Sequence, residues 1–220
     1  LHDFAESGNV PAVEFLINHG ADLQASNMNG LTPLHFAACA DFGDVAELLL
    51  KRGACPNVCD KGGSTPLHLA SPRVAELLTK HGANVDARNA QGRTPLHLAA
   101  LYGDHDMAVL LVENGTGIDA GDDDQRTPLH LALSRRKTEF AIVQLVEYLI
   151  TQGANINARD VIQSTPLHFA AGHEGNENVI LLLLKRGAEV EAHDSTKTTP
   201  LHEAASAGNA SLLIQHCADV

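Results

Sequence analysis

The chain has no tryptophan, two tyrosines and six phenylalanines, and only 15 Lys plus Arg in 220 residues. Proteins that hold single-stranded nucleic acid stack bases on aromatic rings along a basic groove, and this composition supplies almost no such platform. The 27 Asp plus Glu set the net charge at −12, which argues against a surface that clings everywhere to duplex phosphate. Apolar runs such as 179–184 stop at six residues, far short of the roughly 18 needed for a membrane helix, so no membrane insertion is expected. No basic-then-apolar leader opens these residues, and the expected residence is cytoplasmic, with a nuclear location as the alternative. Four cysteines (Cys39, Cys55, Cys59 and Cys217) are too few for a disulfide-stapled scaffold, and Cys55-x-x-x-Cys59 lacks the second half of a zinc site. They read as reduced thiols. The sequons at Asn114 and Asn209 would matter only in a secreted chain.

What the sequence has in abundance is internal repetition. Thr-Pro-Leu-His occurs at 32–35, 65–68, 94–97, 127–130, 165–168 and 199–202, and Leu1-His2 is the tail of a seventh copy. Successive Thr residues are 33, 29, 33, 38 and 34 apart. A second landmark is Gly20, Gly53, Gly82, Gly115, Gly153 and Gly187, each 12 residues before the next Thr. All length variation therefore lies between Thr and Gly, where helices are expected, while the connector is fixed.

Period and signature together resemble the ankyrin repeat family. The resemblance covers the whole chain and implies an all-α repeat solenoid of helix-turn-helix pairs joined by β-hairpin fingers. On that basis 1–220 is a single ankyrin repeat domain, with copies at about 1–29, 30–62, 63–91, 92–124, 125–162, 163–196 and 197–220. The local physics agrees. Thr at the N-cap and Pro at the first helical position start the first helix. Pairs such as Ala37-Ala38 and Ala99-Ala100 let neighbouring first helices approach, and the second helix carries an apolar stripe that ends at a Gly able to cap in the left-handed region. Such pairs bury their faces only by stacking.

Three irregularities stand out. The copy at Thr65 is short, and Ser71-Pro72 stands where its first helix would continue, so that helix ends early and its concave edge is recessed. The copy at Thr127 gains five residues within 134–142, which either lengthen its second helix or lift a basic inter-helix loop. The finger position two before Thr is Gly30, Gly63 and Gly92, then Gln125, Gln163 and Lys197. A side chain forced to positive φ there costs on the order of 1 kcal/mol.

Apparent chemistry dissolves into the repeat. Of the 13 histidines, His2, His35, His68, His97, His130, His168 and His202 share one repeat position, which the family uses to bond the connector, and His19, His81 and His216 close second helices. Gly115-x-Gly117-x-x-Ala120 has the spacing of a dinucleotide fingerprint but follows a Leu-rich helix rather than a strand. Asp122, Asp123 and Asp124 lack calcium-loop spacing and read as a solvated fingertip. His202-Glu203 has no second zinc ligand. Neither catalytic residues, nor a metal, nor a cofactor are expected.

The resemblance places partner contacts on the fingers and the concave side of the first helices. At those positions Lys61, Arg88, Arg93, Arg126, Arg135 and Arg159 face only Asp123 and Asp124, a net of +4 in a chain of −12. Leu31, Leu101, Tyr102, Val161 and Ile162 offer apolar anchors. The implied activity is a noncatalytic, monomeric protein-interaction module that takes an acidic, partly apolar peptide or domain. Two alternatives stand beside it. Asn57 and Asn157, eight residues after Leu49 and Leu149, resemble targets of an ankyrin-directed asparaginyl hydroxylase; otherwise the chain is the targeting arm of a larger enzyme, channel or adaptor.

Overall fold

The computed structural model describes residues 1–134 and 139–218, and all its regular elements are α-helices. The first helices of the copies are α1 (His2–Glu6), α3 (Pro33–Cys39), α5 (Pro66–Leu69), α7 (Pro95–Tyr102), α9 (Pro128–Ala132) and α11 (Pro166–Ala171). The second helices are α2 (Val10–Asn18), α4 (Gly43–Lys51), α6 (Pro72–Lys80), α8 (His105–Glu113), α10 (Glu139–Thr151) and α12 (Glu177–Lys185), and α13 spans Ala207–Ala218. Contacts group them into two compact units, Leu1–Pro95 with Glu113–Thr116, and Leu96–Val112 with Gly117–Val220.

Within each unit the same residues recur as core. The Leu of each Thr-Pro-Leu-His is buried at Leu34 and Leu67 in the first unit and at Leu96, Leu129 and Leu167 in the second. Ala37-Ala38 and Ala170-Ala171 are fully buried, which is why no larger side chain stands there. The second helices bury one stripe at helical spacing, Val45, Ala46 and Leu49 on α4 and Val179, Ile180 and Leu183 on α12. Their ends follow one pattern. Gly20, Gly53, Gly82, Gly115, Gly153 and Gly187 all have positive φ, and Ala54 N–H reaches back to Leu49 C=O while Gly53 N–H bonds Leu50 C=O, a Schellman cap.

The irregular copies resolve in physical terms. α5 has four residues, because Ser71 is extended and its hydroxyl accepts Val74 N–H as the N-cap of α6. α10 has 13 residues where α4, α6, α8 and α12 have nine, so the second helix of this copy is longer, while 135–138, where the basic loop was the alternative, lie outside the described residues. The last Thr-Pro-Leu-His departs from expectation: 200–203 is a turn, not a helix, and the chain is drawn onto the end of α11 by Ala205 N–H donating to Ala171 C=O. Asn209 is fully buried there, its amide donating to Ala171 and His173 carbonyls, so this sequon asparagine is a structural clamp.

The fingers are not β-hairpins. Among the described residues no strand forms, because each finger closes on itself as a tight turn with two backbone bonds, Asn27 N–H to Leu31 C=O with Gly30 N–H to Asn27 C=O, and likewise Asp160 N–H to Ser164 C=O with Gln163 N–H to Asp160 C=O. Neighbouring fingers share one backbone bond: Lys61 N–H to Asn29 C=O and Ala90 N–H to Gly62 C=O in the first unit, Val161 N–H to Asp124 C=O and Ser195 N–H to Ile162 C=O in the second.

Candidate functional site

Each finger is organised around a side chain that the repeat signature hides. Asn27, Asp60, Asn89, Asp122, Asp160 and Asp194 all stand five residues before Thr, and each Oδ1 accepts the N–H four residues on, at 2.8 to 3.0 Å. Most also take the N–H two residues on, for example Ile162 N–H on Asp160. This Asx turn replaces the missing strand ladder. The signal was present in the sequence, since all six copies carry Asn or Asp there. It also corrects the reading of 122–124: Asp122 is buried and architectural, and only Asp123 and Asp124 are solvated.

The repeated imidazole clasps each finger to its helix. At His35, His68, His130 and His168, Nδ1 accepts the N–H of its own Thr and Nε2 donates to the carbonyl just before the next Thr, as in His68 to Arg93 and His168 to Thr198. Burial holds His35, His68 and His130 below the usual histidine range and outweighs the bonds that favour the cation. His19, His81 and His216 turn Nδ1 back onto the carbonyl four residues earlier, at Phe15, Leu77 and Leu212.

In the first unit, Lys61 and Arg88 are exposed and Arg93 and Leu31 half-buried, with the Leu31 carbonyl taken by His2. Asn57 bridges to the next copy, donating to Gly82 C=O and accepting Asn84 N–H. In the second unit, Asn157 does the same with Gly187 and Glu189. Both candidate hydroxylation residues therefore serve as clips between successive copies, using the donor and the acceptor of one side-chain amide.

The second unit also holds Tyr102, 64% exposed, and the fingertip pair Val161 and Ile162, 58% and 48% exposed. Leu101 does not join them. It is 6% exposed, because it lies one helical turn after buried His97 and so points into the packing rather than outward. Arg126 and Arg159 are fixed by acids of the same chain. Arg126 lies 3.2 Å from Asp124, has Nε 3.8 Å from buried Asp160 and covers the Phe169 ring at 5.7 Å. Arg159 pairs with Glu189 at 3.2 Å and donates to the Gln163 and His193 carbonyls. Their charge is thus partly met within the chain, which the sequence tally missed because Asp160 and Glu189 lay outside the positions counted. Arg135 lies outside the described residues.

Among the described residues no group of three or more His, Cys, Asp or Glu is placed to hold a metal, and the four cysteines are unpaired. Gly115, in the apparent dinucleotide motif, is the left-handed cap after α8, and Thr116 donates to Asp86. No helix is long and apolar enough to cross a membrane among these residues.

A sequence profile for ankyrin repeats (three copies) matches residues 1–89, 56–124, 71–160, 103–194 and 140–220, windows that together span the chain. Protein phosphatase 1 regulatory subunit 27 from Mus musculus is 38% identical over 50 residues, 23% of this chain, as is the Homo sapiens protein. The match spans about a third of those relatives' length (32%). The crystal structure of the human ASB11 ankyrin repeat domain superposes with a TM-score of 0.86 at 26% identity, covering 98% of this chain and 96% of that one. The ankyrin repeat domain of Bcl-3, a member of the IkappaB protein family, gives 0.80 at 32% identity, covering 97% and 96%.

Proposed function

Because the chain belongs to the ankyrin repeat family, we propose that it is a noncatalytic protein-interaction module whose fingers take an acidic, partly apolar segment of another protein. Ankyrin repeats are generally protein–protein interaction modules, and likeness to a phosphatase regulatory subunit suits a chain that acts by binding. The observation that carries the reading is the exposed Val161-Ile162 fingertip, with Arg159 two residues before it and Arg126 against the adjoining Asp160, both already held in place. Apolar residues on a rigid turn lose little entropy on docking, and a clamped guanidinium retains donors for a carboxylate. In the first unit Lys61 and Arg88 are exposed and carry the acidic preference.

Affinity capture from native lysate tests this, with mass spectrometry comparing wild type, Val161→Asp/Ile162→Asp and Lys61→Glu/Arg88→Glu. All these positions are exposed, so the fold is preserved. Loss of the same captured protein in both variants supports the reading; undiminished capture by both overturns it.

A further inference from the structure

We propose that the first compact unit carries a socket for one bulky apolar side chain, presented by a protein segment with a Lys or Arg beside it. The socket is a recess of about 150 Å3 walled by Phe36, Cys39 and Ala40 of the last turn of α3 and its cap, by Leu69 at the end of α5, and by Leu31 and Glu6. Leu31 at the base of the first finger belongs to it, but Val161 and Ile162 do not, and it does not rest on the role proposed for them.

The recess follows from the shortened copy. α3 runs seven residues to Cys39, whereas its neighbour α5 stops after four at Leu69, where the Ser71-Pro72 start of α6 turns the chain away. On the α5 side the last turn of α3 therefore has no helical turn beside it. Phe36 and Leu69, which occupy the same repeat position, stay half-buried, and the Cys39 thiol is exposed. His35 lines the recess but engages Nδ1 with Thr32 and Nε2 with Ser64, leaving the lining chemically apolar.

Size and charge identify the occupant. Small-molecule sites span about 300–1,000 Å3, so this recess is too small for one and suits a single Leu or Phe side chain, the kind of anchor in which interface energy concentrates. Glu6 is its one carboxylate, is exposed, and has no ion pair among the described residues. Asp41 follows Ala40 directly, and the nearby Arg73 is already paired with Asp44 at 3.1 Å. An anion at the rim of an apolar socket selects a cation next to the anchor.

Random short peptides displayed on phage are selected against the whole chain, and the winners are remade synthetically. The expected winners carry a bulky apolar residue next to Lys or Arg. They slow maleimide labelling of Cys39 at least about tenfold, with Cys55 and Cys59 read by mass spectrometry as controls. They weaken about tenfold with Glu6→Lys, and they lose binding with Ala40→Arg, which fills the recess. Glu6 is exposed, so that variant decides the matter if Ala40→Arg does not fold. Acidic winners, winners that leave Cys39 unprotected or ignore Glu6→Lys, or no winners at all overturn the proposal. Val161→Asp/Ile162→Asp must leave these peptides' affinity unchanged, so failure here and failure at the fingertips are separate results.

Discussion

His35 ties its own helix start to a finger 29 positions further on: Nδ1 accepts Thr32 N–H at 3.1 Å while Nε2 donates to Ser64 C=O at 3.1 Å. A backbone N–H on one side and a carbonyl on the other leave room for a single protonation state, the neutral ring with its proton on Nε2. A proton on Nδ1 would face the Thr32 N–H head on.

Acid should therefore loosen the fold. Burial lowers the pKa of His35, His68 and His130 from the ordinary 6.5, so the unfolded chain binds more protons than the native one as pH falls below that value. Their contribution to stability is complete above 6.5 and is lost as pH falls through the folded values. Urea midpoints measured from about pH 7.5 down to about pH 5 should show the loss beginning near 6.5. His130→Gln should be less stable by about 2 kcal/mol at neutral pH, yet show a shallower acid slope. Equal slopes in variant and wild type would contradict this account.

Backbone strain is concentrated in the later fingers. Gln125, Gln163 and Lys197 hold φ of 59°, 65° and 66°, where Gly30 and Gly63 hold 82° and 74°. Gln163→Gly should raise stability by about 0.5 kcal/mol, the left-handed penalty of about 1–2 kcal/mol less the entropy that glycine loses on folding. Gly63→Gln should be the worse exchange, since a Cβ there would sit 2.8 Å from the Ala90 backbone nitrogen. Thermal melts of the two variants, compared with wild type, check the opposite signs.

Asp160 should be the most costly finger side chain to remove. It is 1% exposed, accepts the N–H groups of Ile162 and Ser164 through Oδ1, and faces Arg126 with Oδ2. Asp160→Ala should cost about 3 kcal/mol, because it strands two amides and a half-buried guanidinium. Asp160→Asn keeps the turn, as Asn27 and Asn89 do, and should cost less. Denaturant titration ranks the two, and a more damaging Asn variant would show that the charge on Oδ2 outweighs the turn.

Cys217 should be the slow thiol. Burial, with the Glu191 carboxylate accepting its S–H at 2.7 Å, pushes it up to about 11. Iodoacetamide at about pH 8 should modify it roughly a hundredfold more slowly than Cys55, and Glu191→Gln should speed it. Site-resolved mass spectrometry reads both rates, and uniform alkylation of the cysteines would count against the pairing.

The sequence alone determined the period, the Thr-Pro helix starts, the left-handed Gly caps and the early end of α5, because each depends on one residue's own backbone preferences repeated at fixed spacing. It also singled out Gln125, Gln163 and Lys197 as finger positions at positive φ that lack glycine, but not Asp41, which holds a φ of 60° just after α3. Tertiary structure decided what depends on a neighbour. It turned Leu101 inward, paired Arg126 with Asp160 and Arg159 with Glu189, and made Asn57 and Asn157 clips between copies. It kept the last Thr-Pro-Leu-His from forming a helix by diverting Ala205 onto Ala171. A repeat signature fixes where each copy turns, but whether a side chain is covered, paired or free is settled by the copy stacked against it.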